Sequence, residues 1–294
     1  MNGGLPARIG LIAGWGRYPA VVAEALRAQG YRVYCLAIKD HAEPSLRESC
    51  DDFHAVGLAK LGAAIRYFRR NGIQQATMAG KIHKVALFQK FAWLKHLPDW
   101  KCACTFYPHW VSKTKDRKDD TLLGAVIDAF ARDGIEFAPA TQFAPELLVK
   151  HGNLTSRSPS GGQWKDIEFG WRLAKEMGRL DVGQSVAVKG RAVLAVEAVE
   201  GTDQCIHRAG QLCPQGGFTV VKVAKPQQDM RFDVPTIGVG TINTLVEAGA
   251  SVLAIEADKT IVLDEAELVR FADRHKLAIV AVDQQQLEHQ VRAA

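Results

Sequence analysis

The sequence lacks the features that mark membrane-spanning and secreted proteins. No apolar run approaches the roughly 20 residues that a membrane-spanning helix needs. The apolar run near the N-terminus is only about five residues long, too short for a secretory signal, and it leads into glycines. No internal repeat stands out, and no segment is of low complexity. We therefore expect a cytoplasmic protein.

Cysteine is scarce and is not arranged for metal binding. The chain has six cysteines, and none of them forms a CxxC pair. Cys102-Ala-Cys104 has no matching second pair elsewhere in the chain, which disfavours a zinc site. A disulfide framework is not expected in a reducing compartment. The sequence therefore predicts reduced, partly buried thiols.

Length and charge are ordinary overall, but the charge is uneven. The chain has 294 residues, 47% hydrophobic and 23% charged, with a net charge of +5, which suits two soluble domains. Residues 81–118 hold nine Lys and Arg residues against two acids. This excess fits an anionic partner such as phosphate, nucleic acid or acidic lipid, and it equally fits a solvated basic face.

The N-terminal segment follows a strand–turn–helix–strand pattern. Residues 8–13 are typical of a buried strand, residues 18–29 of a helix, and residues 31–38 of a second strand. Gly14 and Gly16 lie in the turn between the first strand and the helix. This arrangement predicts a Rossmann-like, open parallel sheet.

The glycine turn does not complete a dinucleotide fingerprint. Pro19 stands where GxGxxG has its third glycine, although Asp40 lies roughly where a ribose-binding acid would be. A helix N-terminus presents free N–H groups, so a phosphate or sugar fits this turn better than a dinucleotide. Lys81 follows another predicted strand, residues 75–79, and is either a ligand-binding cation or a surface lysine.

Two further N-terminal segments allow a structural or a functional interpretation. Residues 87–110 combine an apolar helical stripe with lysines and tryptophans, which suits a membrane interface, an acyl pocket or a core helix with its loop. Asp119 and Asp120 precede a predicted helix at 122–131. They either cap that helix or hold a metal ion or a ligand hydroxyl.

The chain divides into two predicted domains with a linker between them. We predict an N-terminal Rossmann-like domain at 1–138, a linker at 139–164, and a second, mixed α/β domain at 165–294 carrying the main catalytic motifs. Residues 135–143 are predicted as a short strand running into the linker. In the second domain, Thr202 or Asp203 is expected to cap a helix. The other elements predicted there are helices at 164–177, 241–247 and 265–275, and strands at 184–188, 192–199, 218–223, 251–256, 260–263 and 277–282.

Residues 222–241, KVAKPQQDMRFDVPTIGVGT, form the most distinctive segment. Asp229, Arg231 and Asp233 are spaced by two, so an extended chain would place all three on one face. The row is either part of a phosphate and metal site or an ion-pair ladder along a surface strand. The clustered lysines, prolines and glycines favour a site.

The charges in and near this segment suit chemistry on a diphosphate. Magnesium prefers carboxylate oxygens and often bridges to substrate phosphates, while lysine and arginine neutralise phosphate charge. The glycine turn before a helix adds backbone N–H donors. Such a set supports phosphoanhydride hydrolysis. The predicted metal ligands are Glu200, Asp203, Asp229 and Asp233; the cations are Lys222, Lys225 and Arg231; the turn is Gly238-Val239-Gly240-Thr241.

Five motifs together resemble one family. They are GLIAGWGRYP (10–19), TMAGKI (77–82), KDDTLL (118–123), VLAVEAVEGTDQCIHRAG (193–210) and VVKVAKPQQDMRFDVPTIGVGTI (220–242). The chain resembles the two-domain UDP-2,3-diacylglucosamine pyrophosphatases of lipid A biosynthesis (LpxI type) over residues 8–283. This family is unrelated to the calcineurin-like metallophosphoesterases, whose His/Asp motifs are absent here.

The resemblance implies a substrate and a reaction. A magnesium-dependent hydrolase would cleave UDP-2,3-diacylglucosamine to UMP and 2,3-diacylglucosamine 1-phosphate (lipid X), with water attacking the phosphorus on the sugar side. The site would lie between the domains. Transient contact with the inner-membrane surface is expected, nucleic acid is not, and a homodimer is a further expectation.

The resemblance also assigns site residues. Asp233 is implied as the essential carboxylate, with Asp229 as competitor or supporting group. The implied catalytic set is Asp233, Asp229, Arg231 and Lys225, and the implied substrate-binding set is Gly14, Gly16, Lys81, Asp119, Asp120, Thr202, Lys222, Gln228, Thr236, Gly238 and Thr241.

Two alternatives of other classes remain. A non-catalytic nucleotide-sugar or lipid-phosphate binding protein would use the same basic residues. An NAD(P)-linked oxidoreductase is weaker, because Pro19 departs from the dinucleotide pattern.

Overall fold

A computed structural model describes residues 7–81, 97–111 and 119–293. The chain folds into two compact units. The first runs to Pro145 and includes the tetrapeptide Asp229–Phe232; the second comprises Glu146–Gln228 and everything from Asp233 onward. Within the described ranges, no helix is both long and apolar enough to cross a membrane.

The N-terminal unit is built on a parallel sheet of five strands. They are β1 Arg8–Ala13, β2 Arg32–Ile38, β3 Asp52–Val56, β4 Gln75–Ala79 and β5 Glu136–Phe137. The strand order is β3-β2-β1-β4-β5, and every neighbouring pair is parallel. The predicted Rossmann-like sheet is confirmed. The order reverses between β1 and β4, so ligands of such sheets bind outside the carboxyl ends of these two strands.

Helices cover this sheet. The second of them buries Leu61, Ile65 and Phe68, which recur at helical spacing, and it ends at Asn71-Gly72, where Gly72 adopts a left-handed φ of 67°. Phe68 meets Phe130 with ring centroids 5.9 Å apart. The helices in the described ranges are α1 Tyr18–Ala28, α2 Leu61–Arg70, α3 Trp100–Val111, α4 Asp119–Ala131 and α5 Ala140–Phe143.

The C-terminal unit has a mixed sheet of six strands and a separate parallel pair. The sheet strands are β6 Gly152–Asn153, β7 Ser185–Lys189, β8 Ala192–Val196, β9 Phe218–Lys222, β11 Ala250–Glu256 and β13 Ala278–Val282, and the pair is β10 Thr236–Ile237 with β12 Ile261–Val262. The sheet order is β6-β13-β11-β9-β7-β8. The three central strands β9, β11 and β13 are parallel, whereas β7 runs antiparallel to β9 and β8, and β6 antiparallel to β13. The predicted mixed α/β class is confirmed.

Both faces of this sheet are buried under helices. Along β9, Val220 packs into one core cluster and Val221 into another, as the alternation of a strand requires. The cluster around Val220 includes Ile206, Ile242 and Leu268, and the cluster around Val221 includes Trp171. The helices are α6 Gly161–Arg179, α7 Thr202–Leu212, α8 Val239–Glu247, α9 Glu265–Arg274 and α10 Gln284–Ala293.

The region between the sheets differs from its prediction. The predicted strand at 135–143 is wrong beyond Phe137: β5 has two residues, and helix α5 begins at Ala140. Pro139 has no amide hydrogen, so it cannot extend a ladder. The residues predicted as a linker, 139–164, contain α5, β6 and the start of α6. That helix begins before the predicted Trp164, because Ser160 and Gln163 form a capping box.

Candidate functional site

In the N-terminal unit, the turns after β1 and β4 are bonded to each other. The Gly14 N–H donates to the Ala79 carbonyl at 2.8 Å, and the Trp15 N–H donates to the Lys81 carbonyl at 2.8 Å. The Lys81 N–H donates back to the Trp15 carbonyl at 3.0 Å. The structure therefore brings Gly14 and Lys81 together, with Gly16 next to Trp15 in the same turn, at the point where the strand order reverses, which is the ligand-binding position of this sheet class.

Close backbone contact explains two of the glycines here, Gly14 and Gly80. A Cβ added to Gly14 would lie 2.7 Å from the Lys81 carbonyl oxygen. Gly80 has a left-handed φ of 94°, and a Cβ there would lie 2.7 Å from the Gly14 carbonyl carbon. Helix α1 then begins at Tyr18 without a side-chain cap. Its first turn offers few N–H groups to an anion, because Pro19 has none and the Ala20 and Val21 N–H groups donate to the Arg17 carbonyl at 3.1 and 3.2 Å.

Two predictions for this unit fall wholly or partly outside the described residues. Asp119 and Asp120 begin helix α4, and their side chains lie outside the described part of the protein. Much of the aromatic segment 87–110 lies outside it as well. Within its described part, the Trp100 and Tyr107 side chains are exposed and Cys102 is buried. The membrane-interface and acyl-pocket interpretations stay predictions.

The chain is not extended at Asp229, Arg231 and Asp233, so the predicted one-sided row does not form. Residues 230–232 make a turn. The Arg231 Nε donates to Asp229 Oδ1 at 2.9 Å, its Nη2 donates to Oδ2 at 2.5 Å, and its backbone N–H donates to Oδ1 at 3.0 Å. These hydrogen bonds hold the pKa of Asp229 below its ordinary value. Asp229 and Arg231 are thus paired with each other across the turn.

Phe232 packs against the core of the N-terminal unit, and the tetrapeptide Asp229–Phe232 groups with that unit. Its neighbours in the chain, Gln228 and Asp233, group with the C-terminal unit. The most distinctive motif of the sequence is therefore divided between the two units, with its two ends in one and its middle in the other.

Gln228 joins the two ends of this tetrapeptide. Its Nε2 donates to Asp233 Oδ2 at 2.7 Å, and its Oε1 accepts the Lys225 N–H at 2.8 Å. No residue in the described ranges donates to the other carboxylate oxygen of Asp233, Oδ1. The Lys225 ammonium contacts Asp181 Oδ1 at 2.8 Å. Asp233 is therefore held by one oxygen and can use the other for a ligand.

A buried chain of hydrogen bonds precedes helix α7. Lys222 Nζ donates to Thr202 Oγ1 at 2.7 Å, and the Thr202 hydroxyl donates to Glu197 Oε1 at 2.8 Å. Lys222 and Glu197 are both buried. The predicted cap by Thr202 or Asp203 is wrong: Gly201, with a φ of 83°, is the N-cap residue and no side chain caps the helix. Thr202 uses its hydroxyl in this chain instead, which brings the Lys222 charge to the start of α7.

The predicted glycine turn begins helix α8. Gly238 is the extended N-cap residue, no side chain caps the helix, and Thr241 lies in its first turn. Thr236, in β10, donates its hydroxyl to the Val234 carbonyl at 3.0 Å. The first N–H groups of α8 therefore suit an anion, as predicted for this turn.

The predicted metal ligands do not form a preformed cage. Glu200 Oε1 lies 2.9 Å from Arg208 Nη2, and Asp229 is paired with Arg231. Within the described residues, no group of three or more His, Cys, Asp or Glu side chains comes close enough to hold a metal ion. In the described part of the chain, Asp203 and Asp233 form no ion pair. Asp203 and Asp233 could therefore bind Mg²⁺ in one way: one or two carboxylates supply ligands, and substrate phosphates and water supply the others.

Three buried or mostly buried ionisable residues near the motif were missed from the sequence. Glu197 follows β8, Glu256 ends β11, and Lys175 lies in α6. Each one interrupts an apolar pattern: both glutamates end runs of valine, alanine, leucine or isoleucine, and Lys175 is four residues after the buried Trp171. A charge at a position that the pattern assigns to the core is the signal that would have identified them.

The motifs and both domains match one family. A model described as the LpxI N-terminal domain matches residues 8–147, and one described as the LpxI C-terminal domain matches residues 150–280. A curated relative from Caulobacter vibrioides, UDP-2,3-diacylglucosamine pyrophosphatase LpxI, is 32% identical over 290 residues, which cover 95% of this chain and 99% of the relative. The two domain models taken together extend over nearly the full chain, and so does the relative. It therefore belongs to the LpxI family.

Proposed function

We propose that this protein hydrolyses UDP-2,3-diacylglucosamine to UMP and 2,3-diacylglucosamine 1-phosphate in lipid A biosynthesis. The observation that carries the proposal is the full-length match to a relative named for pyrophosphatase activity on this substrate. Supporting it, the long motif at 220–242 places carboxylates, cations and an uncapped helix N-terminus close together in the sequence. Such groups are the ones that hydrolysis of a phosphoanhydride requires.

Asp233 is our choice for the carboxylate that orients the attacking water. The Gln228 amide holds Oδ2, and this leaves Oδ1 as the acceptor for a hydrogen bond from water. Fixing a carboxylate in this way lowers the cost of ordering it when the substrate binds. Lys225, Lys222 and the first turns of α7 and α8 supply positive charge and N–H donors for the diphosphate.

Mg²⁺ is part of the proposal. When bound, it supplies positive charge that neutralises the phosphate oxygens. Asp233 and Asp203 would hold it together with the diphosphate, because Glu200 and Asp229 are already in ion pairs with arginines. We therefore expect the protein alone to bind Mg²⁺ weakly. Isothermal calorimetry of a magnesium titration, with and without UDP, tests this expectation.

In the N-terminal unit, the glycine turn with Gly14, Gly16 and Lys81 is proposed to bind a phosphate or sugar of the substrate. The turn lies at the ligand-binding position of the sheet, and Lys81 is exposed there. Lys81→Met is expected to raise KM with a smaller effect on kcat, because it removes charge from binding rather than from the reacting centre.

The deciding experiment is hydrolysis in ¹⁸O-labelled water by the full-length protein, with and without Mg²⁺. We expect UMP release and the label in the phosphate of the lipid product.

Asp233→Asn is expected to lose turnover by at least about a hundredfold while still binding substrate. Asp258→Asn, which changes an exposed aspartate paired with Lys150 in the same unit, is the matched control and should retain turnover. Binding without UMP release in the wild type, with or without metal, would favour the non-catalytic alternative and refute the proposal.

A further inference from the structure

A lysine and a glutamate form hydrogen bonds with both polar backbone groups of Ala224. The two residues, Lys175 and Glu256, are called the Lys175–Glu256 clamp below. Ala224 lies two residues after strand β9 and directly before Lys225. Glu256 Oε2 accepts the Ala224 N–H at 2.8 Å, and Lys175 Nζ donates to the Ala224 carbonyl at 3.0 Å. Lys175 Nζ also donates to Glu256 Oε2 at 2.6 Å. These three hydrogen bonds fix the chain where it leaves the sheet.

This ion pair is largely buried, and a second lysine contacts it: Lys259 Nζ lies 3.0 Å from Glu256 Oε1. Glu256 is 5% exposed, and Lys175 Nζ lies 5.5 Å from the centre of the Trp171 ring. Burial lowers the pKa of Lys175, and its hydrogen bond to Glu256 opposes that change. A buried ion pair is weak evidence of stabilisation, since apolar residues of similar volume often replace one without loss. The pair therefore calls for a role other than stability.

The hydrogen bonds continue from Ala224 to Asp233. The next residue, Lys225, donates its N–H to Gln228 Oε1 at 2.8 Å, and Gln228 Nε2 holds Asp233 Oδ2 at 2.7 Å. Helix α6 also packs closely at this point, because a Cβ on Gly178 would lie 3.2 Å from the Lys225 Cα. The position of the Ala224–Lys225 peptide thus determines where the Gln228 amide lies.

We propose that Lys175 and Glu256 are positioning residues that set the orientation of the Asp233 carboxylate through Ala224 and Gln228. This inference rests on the proposed function, in which Asp233 orients the attacking water. Displacement of the peptide by a fraction of an ångström moves the Gln228 amide and hence Asp233 Oδ1. A misplacement of about 1 Å costs about a hundredfold in rate.

The first test measures kcat and KM for UDP-2,3-diacylglucosamine in Lys175→Met and Glu256→Gln. We expect kcat to fall about 10- to 100-fold, with KM within about twofold, because orientation acts on the reacting centre and not on substrate binding. Glu256→Gln keeps the shape of the side chain, so it serves if Lys175→Met folds poorly. The matched control is Lys189→Met: Lys189 also holds a backbone carbonyl, that of Gly216 at 2.5 Å, but at the opposite end of β9. Its kcat should stay within about twofold of wild type.

A double-mutant cycle separates positioning from general destabilisation. If the Lys175–Glu256 clamp acts through Gln228, then adding Lys175→Met to Gln228→Ala should lower kcat by less than about threefold, whereas independent effects would multiply. Multiplied effects, or an unchanged kcat in both clamp variants, would overturn the inference while leaving the proposed function in place. Full turnover by Asp233→Asn would instead refute the role of Asp233, and the inference with it.

Discussion

Arg231 and Asp229 satisfy each other's charges across two residues. The guanidinium makes a bidentate contact with the carboxylate, and the Arg231 N–H adds a third bond to the same side chain. Such a pair fixes the turn at 230–232 and neutralises both groups. Arg231 is therefore better suited to shaping the motif than to meeting a diphosphate alone. This separates Asp229, which is paired with arginine, from Asp233, whose carboxylate accepts from the Gln228 amide and from no other side chain in the described ranges.

The pair makes a pH-dependent contribution to stability. The pKa of Asp229 is lowered in the folded protein, chiefly by its hydrogen bonds to Arg231. Its contribution is therefore complete above the ordinary carboxyl pKa of about 3.9 and is lost as the pH falls through the lower, folded value. We expect Arg231→Met to cost about 1 kcal/mol near neutral pH, and the difference from wild type to shrink below about pH 4.

Urea unfolding at a series of pH values from neutral to acidic measures this difference. Arg70→Met, which removes an exposed arginine at the end of helix α2, is the control and should cost less than about 0.5 kcal/mol at every pH. If the difference in unfolding free energy between wild type and Arg231→Met does not change with pH, the loss of stability does not come from the Asp229 carboxylate.

At the scale of the element, helix α6 packs against the sheet through a glycine. A Cβ on Gly170 would lie 2.9 Å from Val221 Cγ2 and 3.2 Å from Val188 Cγ2. These valines belong to β9 and β7, so the glycine sets how closely the helix approaches the strand that leads into the motif. The same helix contains Gly162 in its first turn, where nothing lies within 4 Å of an added Cβ.

The two glycines predict opposite effects for the same substitution. Gly170→Ala is expected to destabilise the protein by about 1–3 kcal/mol, because the methyl group overlaps a packed valine. Gly162→Ala should be neutral or stabilise by up to about 1 kcal/mol, because alanine restricts the unfolded chain and favours the helix. Thermal unfolding of both variants provides the comparison. Equal effects would contradict the packing explanation.

The success of the sequence predictions varied with how much of each element is decided locally. Strands β1 and β4 match their predicted bounds, because their buried apolar residues and the glycine that follows each strand are local signals. Strand β3 was not predicted: only Val56 of its five residues is buried, and its pairing with β2 is a tertiary effect.

The candidate site shows the same limit. Sequence spacing singled out Asp229, Arg231 and Asp233, but it assumed an extended chain and so assigned them to one face. The Gln228–Asp233 bond and the Lys175–Glu256 clamp join residues that are five and 81 positions apart. Their contact depends on the turn and on the packing of α6, which no local pattern contains.

At the scale of the whole molecule, the net charge of +5 and the basic excess at residues 81–118 favour contact with an anionic membrane surface, where the proposed substrate would be bound. The substrate proposed above carries two acyl chains and therefore resides in a membrane, whose anionic lipids attract basic segments. We expect transient, salt-sensitive binding to anionic vesicles. The protein should co-sediment with vesicles rich in phosphatidylglycerol at low salt and much less with neutral phosphatidylcholine. It should be released at high salt, because the screening length falls from about 10 Å at 0.1 M to about 3 Å at 1 M.

The charge run at 113–118 allows this expectation to be tested directly. Each basic residue near an anionic surface contributes about 1 kcal/mol, so changing Lys113, Lys115 and Lys118 to serine together should weaken vesicle binding about a hundredfold. The matched control changes three lysines from other parts of the chain, Lys39, Lys165 and Lys276, which alters the net charge equally. A similar loss in both triple variants would mean that overall charge, and not this segment, governs binding. Equal binding to neutral and anionic vesicles would contradict the electrostatic account altogether, because only an apolar contact is indifferent to lipid charge and to salt.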